Sequence, residues 1–170
     1  MLWVYIVGAV VVLIGVSVFF GAPYVPSHKR DVRRLFQKFT PISESDTILD
    51  LGSGDGVVLR EASRHGARAI GYEIHPLFVL IARWLSWGDA NIRVQWANAW
   101  TAPFPRGVTL VYAFAVGRDG KRLTAKVQHE ADILKKPLTL VCYGNALPGR
   151  IPERSFEAYH LYIFHPLHRK

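Results

Sequence analysis

Asp50-Leu51-Gly52-Ser53-Gly54-Asp55-Gly56 stands at the end of a short apolar run, Thr47–Leu51, and directly before a stretch with helical periodicity. Three glycines at every second position let the backbone turn sharply and let a ligand approach it closely, since a side chain at any of them would fill that space. A helix that starts just past such a loop presents free backbone N–H groups. The stretch therefore reads as a strand, a ligand-cradling loop and a helix.

The residues downstream repeat this order. Val57 to His65 predicts a helix stopped by Gly66, and Ala67 to Glu73 a second strand. Pro76 to Trp87 predicts a second helix, opened by a proline suited to a helix start and followed by Gly88. Ile92 to Trp96 is a third strand, Val108 to Val116 contains a fourth, Arg122 to Leu134 is a charged helix and Leu138 to Tyr143 a fifth strand. Strands alternating with helices predict a mostly parallel sheet covered on both faces. The end of the chain departs from the pattern. Asn145 to Arg154 holds two prolines and a glycine, and only Ala158 to Phe164 beyond it has strand character, which predicts a last antiparallel strand and a shortened C-terminal region.

Upstream, Leu2 to Ala22 contains no charged residue, and its 21 positions in helical form would span roughly 32 Å, about the thickness of a bilayer's hydrocarbon core. One transmembrane anchor is expected over residues 1–23, rather than a cleavable signal, which has a basic start and an apolar core of about 7 to 15 residues. All 21 Lys and Arg and all 13 Asp and Glu follow it, so the net charge of +8 belongs to the remainder. His28, Lys29, Arg30, Arg33, Arg34 and Lys38 come at once, which by the positive-inside rule places a domain over 47–170 on the cytoplasmic side of a single-pass protein. The same 28–38 stretch suits anionic lipid head groups. Within the linker, 24–46, His28 to Phe39 sets Val32, Leu35, Phe36 and Phe39 at helical spacing, an amphipathic lead-in helix with Ser27 as N-cap and Pro41 as its stop. A single cysteine, Cys142, in an apolar run excludes a disulfide frame and a Cys-rich metal site, and no metal is expected.

Glu73 ends the second strand 17 residues after Gly56, where a carboxylate can accept both hydroxyls of a ribose. Asn98, just past the third strand, can read an adenine edge through its amide. Together they point to an adenosine-type ligand. Dinucleotide folds usually show G-x-G-x-x-G, whereas Gly52, Gly54 and Gly56 form G-x-G-x-G with Asp50 ahead and Asp55 inside the loop. A carboxylate within the loop fits a pyrophosphate poorly and a ligand bearing an ammonium and a sulfonium well. S-adenosylmethionine carries both.

On these residues the chain resembles the class I S-adenosylmethionine-dependent methyltransferases. More narrowly, it resembles the small, often membrane-anchored protein-lysine methyltransferases, which include the mitochondrial enzymes acting on the adenine nucleotide translocase and the ATP synthase c-subunit, with archaeal relatives. Pro23-Tyr24-Val25-Pro26-Ser27, Asp50 to Gly56, and Gly71-Tyr72-Glu73-Ile74-His75-Pro76 carry the likeness. It implies a Rossmann-like methyltransferase sandwich and S-adenosylmethionine as cofactor. Gly52, Ser53, Gly54 and Gly56 would line the methionine part, Glu73 would hold the ribose and Asn98 would lie by the adenine. The implied acceptor is a lysine of a protein, a membrane protein in several relatives. Such enzymes commonly carry Asp where Asn98 stands, and often Asn where this chain has His75.

Other readings share the fold. Methylation of RNA, a lipid or a small molecule suits the positive charge. Against RNA, the fourth strand ends in Tyr112-Ala113-Phe114-Ala115-Val116 and lacks the Asn-Pro-Pro-Tyr type of segment that holds a base amino group. A membrane-tethered binding module without catalysis is the non-enzyme reading, and a nicotinamide enzyme is disfavoured by the glycine spacing. No general base is evident. Tyr24, Trp100 and Tyr143 are candidates for the rim of an acceptor site, each an aromatic of the kind that also fills cores.

Overall fold

A computed structural model describes residues 1, 3–5, 8, 28–115 and 117–167. Seven strands form one mixed sheet in the order β3-β2-β1-β4-β5-β7-β6. They are β1 (Thr47–Leu51), β2 (Arg68–Glu73), β3 (Ile92–Trp96), β4 (Leu110–Ala115), β5 (Leu138–Gly144), β6 (Arg154–Phe156) and β7 (Tyr159–Phe164). The first five run parallel, and β7 lies antiparallel to β5 with β6 outside it. The predicted parallel sheet and antiparallel last strand are both present. β6 is an addition that the sequence did not predict: its three residues are mostly exposed and too few for a hydrophobic alternation to register.

Side-chain alternation divides the core into two layers. On one face Ile48, Ala69, Val94, Leu110, Val141 and Leu161 pack against three helices, α1 (Lys29–Arg34), α2 (Val57–Ser63) and α3 (Pro76–Leu85). The lead-in helix carries Val32, Leu35, Phe36 and Phe39 into this layer, as its spacing predicted. Its last part, Leu35–Phe39, is wound as a π-turn with the Thr40 N–H donating to the Leu35 carbonyl at 2.8 Å. The buried Glu61 carboxylate on α2 ties α1 down by pairing with Arg33 at 3.5 Å and with Arg64.

On the opposite face Leu49, Val111, Ala113, Leu140 and Cys142 pack against α4 (Gly120–Leu134) through Leu123, Val127 and Ala131. Cys142 is fully buried, and burial pushes its thiol up to about 12, so it is an inert core residue as its surroundings in sequence predicted. α4 begins two residues earlier than the charge pattern indicated, after a 3-10 turn at Gly117–Asp119. α2 and α3 each stop two residues short of the predicted end, with Gly66 and Gly88 in the left-handed region beyond them. β3 is one edge of the sheet, and there Arg83 of α3 donates from both Nε and Nη2 to the Val94 carbonyl at 3.1 and 2.9 Å.

Among the described residues no helix is long and apolar enough to cross a membrane. The anchor expected over 2–22 falls almost wholly outside the described residues, as do Tyr24 and Ser27.

Candidate functional site

The glycine loop joins β1 to α2 at the carboxyl end of the sheet, beside the place where strand order turns from β1-β2-β3 to β4-β5. Ligands of open parallel sheets bind at such a switch point. Gly52, Gly54 and Gly56 hold φ of 88, 51 and 81°, a region that side chains strain to adopt. The loop is fastened to β2 through one carbonyl, that of Tyr72, which accepts the N–H groups of Gly52 at 2.8 Å and Ser53 at 3.0 Å. Nothing lies within 4 Å of a Cβ built on Gly52, so space is open in front of it.

Glu73 completes this cradle. Its buried carboxylate accepts the Gly54 N–H at 2.8 Å through Oε2 and the His75 N–H at 2.8 Å through Oε1. Each oxygen keeps a further acceptor site, and the two backbone donors fix both oxygens in place. Asp50, Gly71 and Glu73 share one face of the sheet, since they alternate in phase with Ile48 and Ala69.

The other predicted residues divide. Ser53 is buried with an Oγ that has no hydrogen-bond partner among the described residues, a polar atom held ready at the loop. Asp55 is already answered: its carboxylate pairs with Arg60 of α2 at 3.2 Å, and the same guanidinium reaches its carbonyl. The inner carboxylate expected to meet a cationic ligand thus already has a cationic partner within the protein. Asp50 is buried near Glu73 and Asp55, and burial, reinforced by their charges, raises it to about 8. Asn98 sits past β3 with its Oδ1 accepting the Trp100 N–H at 3.0 Å, so the carbonyl oxygen is engaged in its own turn. Trp100 carries the Arg122 guanidinium 4.5 Å above its ring and packs on the α4 face. His75 caps α3 without a side-chain hydrogen bond, its ring edge-on to Phe78 at 6.3 Å.

Gly71, which in the sequence is one residue of a matching stretch with no role of its own, shapes the site. A Cβ there would meet Ser53 Oγ at 2.5 Å, so only glycine lets Ser53 tuck against β2. Glycine inside a strand is the signal that could have revealed this close approach.

Comparison with solved structures settles the fold. An RNA methyltransferase from Salinibacter ruber, crystallised with S-adenosyl-L-homocysteine, superposes with a TM-score of 0.71 at 24% identity over 86% of this chain and 96% of that one. This is the class I methyltransferase fold. Among curated proteins the chain is similar to the lysine N-methyltransferase of the ATP synthase c-subunit from Xenopus laevis, 27% identical over 137 residues, which covers 79% of this chain and 58% of that protein. The human protein of the same name is 24% identical over 113 residues, covering 65% of this chain and 47% of the relative. The chain thus spans about half the length of the curated relatives it matches. No protein-family profile matches it.

The residues present fit the cofactor of this methyltransferase fold. Glu73 offers two fixed acceptors for a ribose, the Gly52 side offers open backbone, Ser53 supplies a buried hydroxyl with no partner among the described residues, and Asp50 a buried carboxyl on the same face as Glu73. A cationic ligand beside Asp50 favours its ionised form. With the cofactor's positive charge beside Asp50, binding below about pH 8 is expected to release a proton, and affinity for S-adenosylmethionine to rise with pH up to about 8 and then level. Stability runs the other way. The folded-state value is raised, so this group's contribution is complete below the ordinary value of 3.8 and is lost as pH rises through about 8. Asp50→Asn flattens both profiles, which calorimetry and melting temperature across pH 5–9 would read.

Proposed function

We propose that the chain is an S-adenosylmethionine-dependent methyltransferase that acts on lysine side chains of proteins at a membrane surface. The observation that carries the reading is the Glu73 carboxylate, clamped by the Gly54 and His75 N–H groups beside an open glycine loop. The names of the curated relatives support lysine as the acceptor.

When bound, S-adenosylmethionine supplies a methyl group on an already activated sulfonium. The chain's own residues then have three tasks. Glu73 holds the ribose, the Gly52–Gly56 backbone fixes the methionine part, and Asp50, once ionised, answers the positive charge. A lysine Nζ must first lose a proton to water. The neutral Nζ would then be the group that accepts the methyl, and its alignment by the site would carry much of the rate gain.

The membrane setting is supported by three features. The uncharged run from Leu2 to Ala22 and the basic 28–38 stretch with its cytoplasmic-side bias stand in the sequence. In addition, α3 presents Leu77, Leu80 and Trp84 outward at helical spacing, followed by Trp87, with Trp84 72% and Trp87 88% exposed. Tryptophan and leucine beside arginine is the composition that settles at a lipid headgroup boundary. Trp84→Ser with Trp87→Ser should weaken co-sedimentation with phosphatidylglycerol vesicles at least threefold. Unchanged co-sedimentation would remove α3 from the membrane contact.

The activity is tested by incubating the full chain with methyl-labelled S-adenosylmethionine and membrane proteins. Label on lysine supports the proposal. Label confined to RNA or lipid reassigns the acceptor, and neither label nor calorimetric binding of S-adenosylmethionine overturns the methyltransferase reading.

A further inference from the structure

The face of the sheet that bears Glu73 and Asp50 continues past them into a row of aromatic rings. Asp50 registers with Tyr112 on β4, and Phe114 is the next residue of β4 on the same face, at the carboxyl end of the strand. Phe114 registers with Tyr143 of β5, and Tyr143 with Tyr159 of β7. The ring centroids of Phe114 and Tyr143 lie 5.9 Å apart, and those of Tyr143 and Tyr159 4.9 Å apart, both pairs tilted. Phe114 and Tyr143 are half-buried, whereas Tyr112 and Tyr159 are buried behind them. The row thus leads outward from the loop that would hold the methyl donor, at one end of one face, over adjacent strands.

Aromatic faces are negative and attract an ammonium, best where water is partly excluded. Burial, helped by the nearby Asp31 carboxylate at the start of α1, pushes the Tyr159 hydroxyl above its ordinary value, and its hydroxyl bonds to Tyr112. Tilted rings with a carboxylate nearby suit an alkylammonium and disfavour a phosphate.

We propose that Phe114 and Tyr143, backed by the buried ring of Tyr159, form the acceptor site, taking the alkyl chain and ammonium head of a lysine. The proposal rests on the lysine reading above. It gives the aromatic walls two tasks: to hold the cation by its charge, and to exclude the water that favours the protonated amine, so that Nζ loses its proton to the bulk before transfer.

Two probes test it on the full chain. The first is tetramethylammonium, observed by saturation-transfer NMR. Wild type should give a signal that Phe114→Leu and Tyr143→Leu lose and Tyr143→Phe, which keeps the ring, retains. The second is Nα-acetyl-lysine methylamide as methyl acceptor. There the two leucine variants should raise KM about tenfold, with calorimetric affinity for S-adenosylmethionine within twofold of wild type. Absence of the tetramethylammonium signal in wild type overturns the proposal. So does an unchanged KM in both leucine variants. If wild type methylates no lysine but its tetramethylammonium signal is present and lost in the leucine variants, the lysine reading fails while the aromatic row stands as a cation site.

Discussion

Glu73→Ala should lower the affinity for S-adenosylmethionine by at least a hundredfold and abolish detectable transfer. Two effects combine. A hydrogen bond to a charged group contributes about 1.5–3 kcal/mol, and the carboxylate has one free acceptor site on each oxygen for the two ribose hydroxyls. Its removal also leaves the Gly54 and His75 N–H groups without their partner, at about 1–3 kcal/mol for each that stays buried. The glycine loop therefore loses its anchor as well as its ligand. Glu73→Gln separates the two contributions, because an amide keeps one oxygen acceptor but sets an NH2 group against the other backbone donor. It should bind more tightly than the alanine variant and much more weakly than wild type. Calorimetry reads the affinities, and Glu73→Ala binding within threefold of wild type would remove this residue from the cofactor site.

Gly71→Ala is expected to damage the site from behind. The added methyl carbon would lie 2.5 Å from Ser53 Oγ, 2.7 Å from Ser53 Cβ and 2.7 Å from Leu59 Cδ1. β2 is hydrogen-bonded to β1 on one side and β3 on the other, so the strand has no room to retreat sideways. Overpacking of this kind costs about 1–3 kcal/mol. Here the yielding parts are the Ser53 side chain and the loop that carries it, so S-adenosylmethionine affinity should fall at least tenfold along with the melting temperature. Adding Ser53→Gly removes two of the three obstructing atoms and should restore part of both. Should the second substitution restore nothing, the damage would lie in α2 at Leu59 and not in the loop.

Much of this arrangement was legible because it is written in local signals. Thr47–Leu51 and Ile92–Trp96 coincide with β1 and β3, the first a short mostly apolar run before the glycines and the second an alternation of apolar and polar residues. Order and spacing alone put the glycine loop and Glu73 together, and the structure joins them through the Gly54 N–H. What escaped depends on contacts between distant parts of the chain. The Gly71–Ser53 approach needs the loop folded back on β2, and the aromatic row needs the register of three strands. Arg60 is five residues from Asp55 and was visible, but a pairing between them is not announced by spacing, and it gives the inner carboxylate a partner within the protein while Asp50 stays buried beside Glu73. The π-turn at Leu35–Phe39 was hidden for another reason: its apolar spacing satisfies an ordinary helix equally well.

The Arg83 fork on the Val94 carbonyl has a meaning for how copies of this protein behave when crowded together. An open sheet edge is a template on which a second chain can add a strand and begin to aggregate. β6, at the far edge, is three residues long and offers little to pair with. β3 is the longer edge, and there a guanidinium already takes a carbonyl that an incoming strand would need. Both ends of the sheet thus offer an incoming strand fewer backbone partners than a bare edge of the same length, which disfavours self-templating.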